Sequence, residues 1–212
     1  MGRRNRIFIF SALAVFFFCS DIYCEVIELL SSPVLMSKSF LPMREINIKA
    51  SFDFGGKCDF HKNIGGPETK KTDAGQHLSF AAEYMKYCNE YIAAGAGVSV
   101  QIPRTLEGYS GKFSFAPLYL SVKVRSWPQE PGLYAYVFGR FGYNFFYGDG
   151  VFKDKFSIEK GGFYYAAGIG IIYRPFIVEC KYGVNSGAVK YALDKTSDMD
   201  YGKFSVSFGF TL

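Results

Sequence analysis

His77, Ser79 and Glu83 fall on one face of an alternating stretch, "HLSFAAEYMKYC". A histidine, a hydroxyl and a carboxylate are the parts from which an activated nucleophile is built. The same types also line ordinary wet rims of β-structures, where they do no chemistry. Nothing else in the chain converges on them, so we assign no catalytic residue. Metal-ligand spacing is absent from the sequence: it holds two histidines and no Cys-x-x-Cys pair. No cofactor is expected. The other polar residues with a regular spacing are charged ones, Glu45, Lys49, Asp53, Glu83, Lys123, Arg125, Arg140, Glu179, Lys181 and Lys203. They recur at even spacing, each opposite an apolar neighbour.

Alternation of that kind is the mark of strands with one polar and one apolar face. "EINIKASFDF", Glu45 to Phe54, is the clearest case, with Ile46, Ile48, Ala50, Phe52 and Phe54 on one side. Further strands are read over His77 to Cys88, Tyr91 to Ile102, Lys112 to Arg125, Leu133 to Phe146, Gly162 to Tyr173 and Phe176 to Asn185. The closing strand is "YGKFSVSFGFTL", which ends the chain with Phe204, Val206, Phe208, Phe210 and Leu212 in register. Pro117 lies inside one strand and has no N–H for a ladder, so a bulge or irregular segment is expected there.

That reading gives eight strands whose connections alternate long and short, beginning with a long polar stretch from Gly55 to Gln76. An even number of alternating strands with short turns at one rim is the pattern of a transmembrane up-and-down antiparallel barrel. With both termini on the periplasmic side, the long loops lie outside the cell. Ile46, Ile48, Phe52, Val98, Val100, Leu118, Leu120, Val122, Leu133, Val137, Phe141, Ile169, Ile171, Val178, Tyr182, Phe204, Val206, Phe208 and Phe210 then face lipid. The ten charged residues face the lumen. An eight-stranded bore is narrow enough to be filled by side chains, so they are expected to pair as a structural plug. The alternative is a charge-lined narrow pore. Tyr87, Tyr91, Trp127 and Tyr173 beside the short turns, and Tyr143, Phe145, Tyr147, Tyr164 and Tyr165 at the other end, are candidates for the aromatic girdles.

Composition agrees. Aromatic residues make up 19% of the chain, with 23 Phe, 16 Tyr and 23 Gly among 212 residues. Arg3, Arg4 and Arg6 precede the uncharged run "IFIFSALAVFFF", which reads as a secretory signal peptide and is too short to span a bilayer as a helix. The expected organisation is a signal peptide over 1–24, with Ser20 and Cys24 as candidate cleavage positions, a periplasmic lead-in over 25–42 and the barrel over 43–212. The net charge of +5 is modest and its lysines and arginines are scattered, which argues against nucleic-acid binding. Cys58 and Cys88 are expected at opposite rims and Cys180 in mid-strand, so no bridge is expected among these three.

"GRFGYNFF", "YYAAGIGIIYRP", "VECKYG" and the terminal "FSVSFGFTL" resemble the second half of the OmpA/OmpX/opacity-type outer-membrane β-barrel family. The resemblance implies a small envelope barrel of a Gram-negative-type bacterium, an adhesin or a scaffold for surface loops, without catalytic activity. Its partners would be outer-membrane lipid and lipopolysaccharide, a host or surface ligand met through the long loops, and the barrel-assembly machinery, which reads the last strand. Many members end on an aromatic residue where this chain has Leu212. Some barrels resembling this one modify lipid, among them a lipid A deacylase with a His-x-Ser pair, and that keeps a deacylase-like activity for His77 and Ser79 as the alternative. The residues around the pair do not match that family. Lys57, Lys62, Lys70 and Lys71 in the first long loop could meet anionic lipopolysaccharide or glycans, or simply keep the loop solvated.

Overall fold

The computed structural model describes residues 44–61, 70–105, 112–126, 133–148, 157–192 and 195–212. The expected signal peptide, lead-in and Trp127 lie outside these residues. The strands are β1 (Arg44–Asp53), β2 (Gly56–His61), β3 (Lys70–Ala74), β4 (His77–Tyr87), β5 (Ile92–Gln101), β6 (Arg104–Thr105), β7 (Lys112–Arg125), β8 (Leu133–Gly148), β9 (Ser157–Tyr173), β10 (Phe176–Ala192) and β11 (Lys195–Thr211). Eight of them, β1, β4, β5, β7, β8, β9, β10 and β11, pair in that order as antiparallel neighbours. β11 returns to β1, with Asn47 opposite Thr211 and Asp53 opposite Ser205. Reciprocal backbone bonds between Ile46 and Leu212, at 3.1 and 2.9 Å, finish the seam. At the level of β1 the ring closes with no unpaired edge among the described strands, the condition for β-structure in lipid.

The alternation has a physical consequence at every level of this wall. β1 alternates exposed and buried from end to end. Ile48, Val100, Val137, Phe141, Ile169, Tyr182, Phe208 and Phe210 project outward and are exposed, while Asn47, Lys49, Ser51 and Asp53 are buried inside. A water-soluble barrel would place these two sets the other way round. Glycines let large inward rings lie against the wall: a Cβ on Gly170 would collide with the Tyr136 ring, and one on Gly97 would meet the Tyr119 ring at 2.8 Å.

The cylinder is not of even height. β1, β4 and β5 have 10, 11 and 10 residues, about what crosses a bilayer, whereas β9, β10 and β11 have 17 each. Of the stretches read as loops, Ser157–Gly161, Ser186–Ala192 and Lys195–Asp200 are therefore ladder, with Asn185 opposite Tyr201 and Val189 opposite Ser197. Above Asp53, β11 has lost β1 as a neighbour. The β2–β3 hairpin takes its place, pairing Lys57 with Gly202 and His61 with Asp198. At the other edge of the tall wall, β6 pairs with β7, Arg104 opposite Phe113. Two short strands thus satisfy the backbone groups that unequal strand lengths would leave open.

Two further expectations are corrected. Pro117 produces no bulge: the β7–β8 ladder runs past it in unbroken register, with Pro117 opposite Asn144. The β5–β7 ladder instead ends at Leu118, so the missing N–H falls where pairing stops. Irregularities occur in the β9–β10 ladder, at Asn185–Gly187 and Ala188–Val189. Tyr164 is not a girdle residue, because it is buried in the lumen against Tyr119. Tyr143, Tyr147, Tyr165 and Tyr173 do face outward and are exposed.

Candidate functional site

β1, β4, β8 and β10 each send one charged side chain to the middle of the bore. Lys49 meets Glu83, and Glu179 at 2.9 Å. Arg140 meets Glu83 at 2.6 Å and Glu179 at 2.8 Å. The four form a closed square of two cations and two carboxylates, all of them buried. Tyr136 donates its hydroxyl to Glu179 at 2.8 Å and Tyr119 donates to Glu83 at 3.1 Å. The Arg140 guanidinium also lies 4.1 Å from the Phe138 ring centroid. Each charge is compensated on several sides, as a buried ion must be.

A second group sits higher, where β1 ends. Asp53 takes an ion pair from Lys203 and another from Arg104 at 3.3 Å, with hydroxyl bonds from Ser205 at 2.7 Å and Ser79 at 3.2 Å. Arg104 also donates to Gln101 at 2.7 Å and to the Tyr201 hydroxyl, and its guanidinium lies 4.7 Å from the Tyr201 ring centroid. Above it, the rings of Phe113, Phe115, Phe146 and Tyr201 pack on one another, Phe115 and Phe146 stacked at 4.8 Å. At the opposite mouth, Glu45 pairs with Arg174 at 2.7 Å. Arg125 donates to the Glu90 carbonyl and lies between the Tyr87 and Tyr134 rings, at 4.6 and 4.7 Å. Tyr87 thus serves the lumen as well as the rim.

All ten charged residues singled out in the sequence are buried inside the wall. The structure brings Lys49, Glu83, Arg140 and Glu179 into one square, and Asp53 and Lys203 into one pair. It leaves Lys123, Arg125 and Lys181 without a carboxylate partner among the described residues. Arg104 was missed, since it follows Pro103 in what reads as a loop. The hydroxyls of Tyr119 and Tyr136 share a face with Lys123 and Arg140, and that phase could have found them.

The His77–Ser79–Glu83 set does not assemble. Ser79 donates its hydroxyl hydrogen bond to Asp53, and Glu83 is engaged by Lys49, Arg140 and Tyr119. Among the described residues no cluster of His, Cys, Asp and Glu could hold a metal ion. Cys58 and Cys180 are free thiols and Cys88 is disulfide-bonded, so none of these three bridges to another.

No protein-family model and no curated protein matches the chain. Solved structures do. The outer membrane protein AlkL in lipid bilayers is 15% identical, with a TM-score of 0.48 over 86% of this chain and 96% of that one. OprG of Pseudomonas aeruginosa is 9% identical, TM-score 0.48, over 80% and 95%. Ail, the attachment invasion locus protein of Yersinia pestis, is 14% identical, TM-score 0.42, over 81% and 100%. These are likenesses of fold. A closed eight-stranded wall, greasy outside and charged inside, is built for lipid, and it belongs in a bacterial outer membrane.

Proposed function

We propose that this outer-membrane barrel is a non-enzymatic envelope component that carries a surface for adhesion or other host and environment contact. One observation carries the reading: the middle of the bore is filled by paired charges and one end is roofed by rings, while β8 to β11 and the β2–β3 hairpin continue the wall past the level where β1 ends. Side chains that only plug a bore offer no route and no reacting group. A tall, hydrogen-bonded wall offers a rigid platform for contact, and loops held by such scaffolds are where binding residues collect. Its partners on this reading are outer-membrane lipid and lipopolysaccharide, a surface ligand met above the membrane, and the barrel-assembly machinery acting on β11.

The test is adherence of cells displaying the full chain, set against cells in which a short turn replaces Gly55 to Gln76. Adherence to host cells or glycan-coated surfaces is expected to fall at least several-fold at equal surface expression. Equal adherence would remove the hairpin from the proposed contact surface.

A further inference from the structure

The buried interior carries more positive charge than its carboxylates can match. Among the described residues its acids are Glu45, Asp53, Glu83 and Glu179, and its bases are Lys49, Arg104, Lys123, Arg125, Arg140, Lys181 and Lys203. Every acid is already committed: Glu83 and Glu179 to Lys49 and Arg140, Asp53 to Arg104 and Lys203, Glu45 to Arg174. Two of the remaining cations, Lys123 and Arg125, sit two residues apart on the inward face of β7. They line one small cavity at the short-turn mouth with Tyr87, Tyr91, Tyr134, Tyr136 and Ile172. Lys123 is 3% exposed and Arg125 7%. Lys123 Nζ and Arg125 Nη1 are both buried without a hydrogen-bond acceptor.

We propose that this cavity is a binding site for one small inorganic anion of the halide class. Rings provide part of the compensation, with Lys123 Nζ 4.9 Å from the Tyr136 centroid and Arg125 between Tyr87 and Tyr134. A ring face carries no net charge, and Glu83 and Glu179, which Lys123 feels only through the field, are bonded to Lys49 and Arg140, so neither cation has a counter-ion in contact. A water could accept from both groups, but it would leave the repulsion between them in place. A monovalent anion accepts from both and cancels charge as well. Size selects the class: the cavity volume is about 10 Å³, room for one body of about the size of a water or a monatomic ion. Its tyrosine walls leave room for a single halide and none for a phosphorylated metabolite or a lipid headgroup.

The experiment uses the full chain refolded into detergent micelles. Thermal unfolding is followed in sodium chloride and in sodium gluconate at equal ionic strength, and crystals grown in sodium bromide are examined for anomalous scattering. Chloride is expected to raise the unfolding temperature of the wild type by several degrees, and Lys123→Met to abolish that difference. A bromide peak is expected between Lys123 Nζ and Arg125 Nη1. Equal unfolding in the two salts, a chloride effect that survives in Lys123→Met, or bromide crystals with no peak between these two nitrogens would each overturn the proposal. Should Lys123→Met fail to fold, the wild-type bromide map decides alone.

Discussion

The middle and the top of the bore solve one problem in two ways. In the middle, Lys49, Arg140, Glu83 and Glu179 balance charge with charge. At the top a single carboxylate, Asp53, serves two cations, and the excess on Arg104 is spread over hydroxyl, amide and ring partners beneath the Phe113–Phe115–Phe146 roof. The middle lies at bilayer depth, where water cannot help and each missing partner strands an ion. The top stands where the wall has risen past β1, and a displaced group there has solvent within reach. Equal burial therefore does not mean equal dependence on each contact.

The largest break in this contrast should come from Glu179→Ala. It removes a partner from Lys49, Arg140 and Tyr136 together and should cost about 3–5 kcal/mol, the usual penalty for uncompensating a buried charge. Urea unfolding of the barrel in lipid vesicles would measure it, and the double variant Glu179→Ala with Lys49→Met should recover part of the loss. A double variant as unstable as the sum of the singles would show that the square is not one unit. Phe208→Lys sharpens the same point from outside. Phe208 pairs across the wall with Val178, beside Glu179, and it faces lipid. A cation there has no partner at all, for a loss of about 2–4 kcal/mol in the same assay. Arg104→Ala comes next, at about 2 kcal/mol for lost charge-assisted bonds, since Lys203 still holds Asp53. Its signature should be faster proteolysis near β2 and β6 while the lower barrel stays protected; uniform destabilisation would mean the two levels are coupled.

What the sequence reveals follows the same boundary. In the membrane span every residue is either in lipid or in the lumen, so a period of two is enforced and Lys49, Arg140 or Phe208 can be placed by counting. Above it neither solvent is imposed on a face. Ser186 to Asp200 breaks its alternation at Asp194 to Ser197 and reads as a loop, yet Ser186 to Ala192 and Lys195 to Asp200 are ladder, because β10 and β11 satisfy each other there. Arg104 carries no phase at all, since Pro103 interrupts the count. Tyr164 and Tyr165 are adjacent tyrosines on opposite faces, and composition alone cannot tell which one enters the lumen; register does.

Cys58 gives the smallest effect and the most direct reading of the upper region. It lies on β2, outside the span, opposite Tyr201 and fully buried. Burial pushes its thiol well above the ordinary range. A raised value means the folded protein holds the proton at a pH where an exposed cysteine has begun to lose it, and only the thiolate attacks a maleimide. At a pH of about 8, Cys58 should label at least roughly tenfold more slowly than a cysteine placed at Lys57, which points outward from the same strand. Raising the pH should accelerate Lys57→Cys first, and Cys58 only near denaturing conditions. If both label alike, the hairpin is not seated on β11, and the tall wall loses the partner that closes its edge.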